Sequence, residues 1–188
     1  MDSAARDELA GVLTAPGQPL DARQAAAVAL AAAGDRRAFE TLALLLNYRE
    51  PARAESAASA LAQLGDPRTA RAAAALATNP LRVAYAVPPI RLLVRLRAPE
   101  SVPALIETLD RLLAERTLAW EAVPACVQGL GELGDPRAAP VLRAARAHPR
   151  LREAATAALE RIGCYEPDAP GPSDAPGSSS PSGDVPLT

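Results

Sequence analysis

Lysine is absent from this 188-residue chain, so all 20 basic side chains are arginine, and aromatic residues make up only 3% of it. There is one histidine, His148, and there are two cysteines, Cys126 and Cys164, in no CxxC spacing. Such a set offers neither a zinc-ligand pattern nor a disulfide framework, and no cofactor is expected. GxSxG, P-loop, GxGxxG and HExxH sequences are all missing, which removes the common motif-borne catalytic chemistries. No uncharged apolar run reaches about 18 residues, and the opening Met1–Glu8 is acidic where a secretory leader would be basic and then apolar. A cytoplasmic protein with no membrane segment is the expectation.

Net charge also lacks a strong sign. It is −2 for the chain, but Glu166, Asp168, Asp174 and Asp184 all lie in the last stretch, leaving the rest at about +2. That is too small a footprint for a nucleic-acid surface. Alanine is abundant, about a quarter of the residues against under about a tenth in ordinary domains. Arginine without lysine is also what a GC-rich coding sequence produces, so arginine alone does not argue for phosphate recognition.

What is present is repetition. Gly134-Asp135-Pro136-Arg137 has a near copy in Gly65-Asp66-Pro67-Arg68 and a proline-free one in Gly34-Asp35-Arg36-Arg37. Each has the chemistry of a joint between two helices: glycine ends one, aspartate caps the next, and proline suits the first helical position. Upstream lie Ala26-Ala27-x-x-Leu30, Ala57-Ala58-x-x-Leu61 and Ala154-Ala155-x-x-x-Leu159. The step from Gly34 to Gly65 is about 31 residues, enough for two compact helices and two tight turns. One joint has lost its glycine: Leu96-Arg97-Ala98-Pro99-Glu100 stands where the motif is due. Gly134 and Gly163 resume the series, giving about five helix pairs.

Taken in order, the pattern predicts helices over 3–14 and 21–33, then a helix carrying Leu42, Leu45 and Leu46, a bend at 47–51, and a helix over 53–64. An alanine-dominated helix over 68–78 stops at Asn79-Pro80 and packs closely at the cost of buried area. Pro88 and Pro89 interrupt 81–96, so a kink or restart is expected at Pro88. The fourth pair is longer, its first helix running a turn or two beyond its siblings and its second, 118–133, carrying Pro124 within an otherwise helical run as a second irregularity. Helices over 137–147 and 151–162 close the array. Beyond Gly163, six prolines interleave with Gly, Ser and Asp, so 1–163 is read as the repeat domain and 164–188 as a disordered tail.

These units resemble HEAT repeats, in particular the short class first noted in phycobilin lyases. The resemblance is carried by 23–35, 54–68, 126–139 and 152–163, with the third unit matched by Leu93 and Leu96 alone. It implies an all-α, right-handed α-solenoid in which the second helix of each pair lines a concave groove, and a scaffold that binds a protein partner without catalysis. A bilin lyase-like accessory is the alternative the resemblance allows, with a HEAT-like DNA-binding or glycosylase protein behind it.

The candidate partner-binding residues are Arg82, Tyr85, Arg91, Arg95 and Trp120. Arg91 and Arg95 are four apart and share a helix face, and Arg82 and Arg97 add charge to the same segment. Planar guanidinium groups could clamp a carboxylate, a phosphate or an acidic peptide there. A solvated face with local partners such as Glu100 is the competing reading. Tyr85 and Trp120 stand near the starts of adjacent second helices, where packing around the prolines explains them as well as a binding hot spot does. Cys126 takes the place of an alanine and reads as core, Cys164 sits at the edge of the tail, and His148 reads as an exposed turn residue.

Overall fold

The computed structural model describes residues 1–115 and 121–164; Trp120 and the stretch read as a disordered tail from 165 onward lie outside them. Among the described residues there is no strand, and ten α-helices follow one another in five pairs. These are α1 (Ser3–Thr14) with α2 (Leu20–Ala32), α3 (Phe39–Leu46) with α4 (Pro51–Leu64), and α5 (Arg68–Thr78) with α6 (Val87–Leu96). The last two pairs are α7 (Ser101–Glu115) with α8 (Ala122–Leu133) and α9 (Ala139–Arg146) with α10 (Arg152–Arg161). The second helices α2, α4, α6, α8 and α10 pack each on the next as one layer, and the first helices form the other. This is a short α-solenoid of HEAT-like helix pairs.

One leucine per pair holds the layers together. Leu30, Leu61, Leu93, Leu130 and Leu159 are all fully buried. Each stands four residues before its joint, one helical turn back, so its side chain lies on the face that meets its first-helix partner. Burying each contributes roughly 1.5–3 kcal/mol. Ala57, Ala155 and Cys126, which share one repeat position, are fully buried as well. Small side chains there let the helices approach.

The joint residue is left-handed. Gly65 has φ 63° and ψ 25°, and its N–H donates to the Leu61 carbonyl oxygen. At the joint without glycine, Arg97 takes the same conformation, φ 49° and ψ 32°, and its N–H donates to the Leu93 carbonyl oxygen. The turn is therefore kept by geometry where the residue type has changed. The aspartates cap as expected, and the arginine two positions on returns to the same carboxylate. In the second joint the Arg68 N–H (2.9 Å), Nε (3.0 Å) and Nη2 (3.0 Å) all donate to Asp66.

Proline marks the starts of α6 and α8. The chain restarts at Val87 after a one-sided 3-10 segment, Pro80–Tyr85, with Pro88 and Pro89 in the first turn of α6, where no donor is missed. Pro124 also falls in the first turn of α8, which begins at Ala122, so no intrahelical donor is missed there. The extra length of the fourth pair is partly in α7, 15 residues against 11 in α5.

Two mid-helix glycines narrow α8. A Cβ on Gly129 would stand 2.5 Å from Val94 Cγ2 of α6, and one on Gly131 would stand 2.9 Å from Ala158 Cα of α10. Glycine here allows α8 to sit between its two neighbours without side-chain spacers.

Candidate partner-binding face

Ile90, Leu92 and Leu93 are buried on the inner side of α6. That fixes the helix rotation and leaves Arg91 and Arg95 exposed on one stripe, as their spacing predicts. Both reach back to α4. Arg91 Nη1 donates to Glu55 Oε1 at 2.8 Å, and Arg95 Nη1 donates to Ser59 Oγ at 3.3 Å. The local partners are thus one helix earlier, not Glu100. The Arg91–Glu55 pair is solvent-exposed and contributes little to stability. Arg95 has no carboxylate partner among the described residues.

Arg97 faces the next helix. Its Nη2 donates to the Glu132 carbonyl oxygen at 3.0 Å, near the C-terminal end of α8, where free carbonyls and the helix dipole favour a cation. Between α6 and α8 runs a groove of about 610 Å3 with Arg91, Arg95 and Arg97 on one bank and Glu121, Gln128 and Glu132 on the other. Its floor includes Ala125 and Gly129. Gln128 Nε2 donates to Glu132 Oε1 at 2.8 Å, which orders the acidic bank.

Arg82 is not on that stripe. The 3-10 segment before α6 places it at the turn ridge, where its Nη2 donates to the Asn47 carbonyl oxygen at 2.6 Å. Its guanidinium carbon lies 5.6 Å from the Tyr85 ring centre. Tyr85, also in that segment, lines a cleft of about 170 Å3 between α4 and α6. Tyr48, Pro51 and Pro88 line it as well. The sequence reading passed over Tyr48, although Tyr48-x-x-Pro51 and Tyr85-x-x-Pro88 are the same four-residue pattern in adjacent pairs. Arg53 stacks near Tyr48 at 5.6 Å, and is anchored by Asp21 at 2.9 Å, Glu50 at 3.3 Å and a short hydrogen bond to Gln24.

Titration is concentrated at the joints. The Arg37 guanidinium holds the Asp35 carboxyl down to about 2, against an ordinary 3.8, and Asp66 and Asp135 are lowered by Arg68 and Arg137 in the same way. Arg37 and Arg68 also bridge to the preceding first helix, at 2.7 Å from Asp7 and 2.9 Å from Glu40. Burial pushes the Cys126 thiol up to about 12, so it is a poor nucleophile at neutral pH. Cys164 and His148 are half-buried at the end of the array. Among the described residues no group of three His, Cys, Asp or Glu side chains could hold a metal ion, and no helix is long and apolar enough to cross a membrane.

Residues 125–148 match the family model described as PBS lyase HEAT-like repeat. The match runs through α8, the Gly134–Arg137 joint and α9 to the turn at His148. No curated protein matches the chain. Over that segment the chain is similar to a single short HEAT-like repeat, and the helix pairs around it repeat the same architecture.

Proposed function

We propose that this protein is a non-catalytic scaffold that binds another protein across the layer of second helices, centred on α6. One observation carries the reading. Arg95 and Arg97 project over the α6–α8 groove without carboxylate partners among the described residues, whereas the joint arginines Arg37, Arg68 and Arg137 are each in ion pairs. Guanidinium groups left uncompensated beside a groove of this size suit carboxylates of a partner segment, and the acidic bank opposite orients it. The similarity to one repeat concerns packing and the joint, so lyase chemistry is not inferred from it.

The test is affinity capture from the native host lysate with wild-type protein, Arg91→Glu/Arg95→Glu, and Arg71→Glu on the exposed side of α5 as a control. Circular dichroism verifies that all three fold alike. Loss of one partner by about tenfold or more in the α6 variant alone is the expected result, since like-charge juxtaposition costs several kcal/mol. Equal capture by all three baits excludes this face.

A further inference from the structure

The cleft between α4 and α6 differs in chemistry from the α6–α8 groove. Two tyrosine rings and two prolines, Tyr48, Tyr85, Pro51 and Pro88, wall a space of about 170 Å3. Aromatic walls of this kind receive proline in an extended left-handed polyproline helix, which arrives with little ordering cost. Arg49 lines the cleft and has no ion-pair partner among the described residues, and Arg82, whose guanidinium lies 5.6 Å from the Tyr85 ring centre just outside the lining, donates to a backbone carbonyl. Glu55, the acid within the cleft, is neutralised by Arg91 at 2.8 Å, leaving Glu121 as the opposing charge. A ligand combining proline with carboxylates therefore fits better than a neutral or basic one.

The same chain carries such a ligand. Residues 165–188 contain six prolines, four acidic residues and no basic residue. Within them Asp168-Ala169-Pro170-Gly171 is repeated as Asp174-Ala175-Pro176-Gly177. The second copy begins ten residues beyond Cys164, a reach of about 30 Å at about 3.1 Å per residue. Cys164 follows α10, which packs on α8, which packs on α6. At about 8–10 Å between neighbouring helix axes the cleft is about 20–25 Å to the side, and because Cys164 follows the end of α10 while the cleft lies at the starts of α4 and α6 it is also about 15 Å back along the helices, a straight-line distance of about 25–30 Å. Tethering also raises the local ligand concentration to the millimolar range, so weak contacts suffice.

We propose that the Asp174–Gly177 segment docks in the Tyr48/Tyr85 cleft of its own chain, with Pro176 against the tyrosines and Asp174 on Arg49 or Arg82. This rests on the reading of the second-helix layer as a docking face, and makes the segment a tethered competitor of the outside partner.

The experiment is backbone amide chemical-shift mapping of the full chain, comparing wild type with Asp174→Asn/Pro176→Ala and, reciprocally, with Arg49→Ser. Neither change touches the buried core. The expected result is that the first variant shifts resonances of residues 48–55 and 84–91, and that Arg49→Ser shifts the Asp174 resonance. Shifts confined to the neighbours of each substitution overturn the proposal, as do shifts that fall on Gln128 and Glu132 of the other groove. A cleft shift that disappears on dilution also overturns it, because the occupant is then another copy. The protein is observed alone, so failure here leaves the partner reading to its own capture experiment.

Discussion

Arg97 shows how a single residue can depart from a repeat and keep its geometry. A side chain in the left-handed region costs about 1 kcal/mol relative to glycine. An exposed hydrogen bond such as that from Arg97 to the Glu132 carbonyl returns about 0.5–1.5 kcal/mol. The two effects nearly cancel, so Arg97→Gly leaves stability close to wild type, while Arg97→Ala keeps the strain and loses the bond. Urea unfolding should place the alanine variant about 1 kcal/mol below the glycine variant; equal midpoints contradict this account. The carboxylates of the joints make a second residue-scale prediction. Asp35 and Asp66 have lowered folded-state pKa values, so their contribution is full above the ordinary carboxylate pKa of 3.8 and is lost as pH falls through the folded value, about 2 for Asp35. Stability should fall between about pH 4 and 2. Asp66→Asn should be less stable at neutral pH and show a shallower fall. An unchanged acid limb in that variant places the loss elsewhere. The sequence exposed the aspartates as caps; it did not expose the second role of the following arginines, because a side chain turning back two residues leaves no periodic trace.

At the scale of elements, most helices could be read because periodicity, caps and breakers agreed. Ser3–Thr14 and Arg68–Thr78 fall where the pattern put them. Pro88 ends one segment and starts another, as backbone chemistry requires. Pro124, read as an irregularity within a run from 118, stands in the first turn of α8 instead, because whether a full turn precedes a proline is not stated locally. The short 3-10 lead Pro136–Ala138 was partly merged with the helix it introduces, read as 137–147. The tight waist of α8 was legible in principle from Gly129-x-Gly131 in a helical run, but only neighbours from α6 and α10 explain it. Gly131→Ala should therefore destabilise by about 1–3 kcal/mol, because its Cβ meets the α10 backbone at 2.9 Å. Helix propensity alone predicts the opposite, a gain of about 1 kcal/mol. A denaturation midpoint at or above wild type would falsify the close-approach reading.

At the scale of the molecule, five helix pairs stack so that α6 is the middle member of the second-helix layer and borders both cavities. Its position follows from the repeat count, and its irregular start follows from two prolines. Of the candidate residues, Arg91 and Arg95 come together with Arg97 at the larger groove, while Tyr85 lines the smaller cleft with Tyr48 and Arg91, and Arg82 lies beside the Tyr85 ring. The sequence placed all four on one segment, 81–96, although it expected a kink or restart at Pro88. Which side chains each arginine meets was not legible, since Glu55 and Ser59 lie 36 residues away along the chain and meet α6 only through the stacking of layers. The most direct test of the central claim is hydrogen exchange of the backbone amides with and without the captured partner. The account predicts slowed exchange in α4, α6 and α8, with α3, α7 and α9 unchanged. Slowing confined to the first helices, with α6 unaltered, contradicts it.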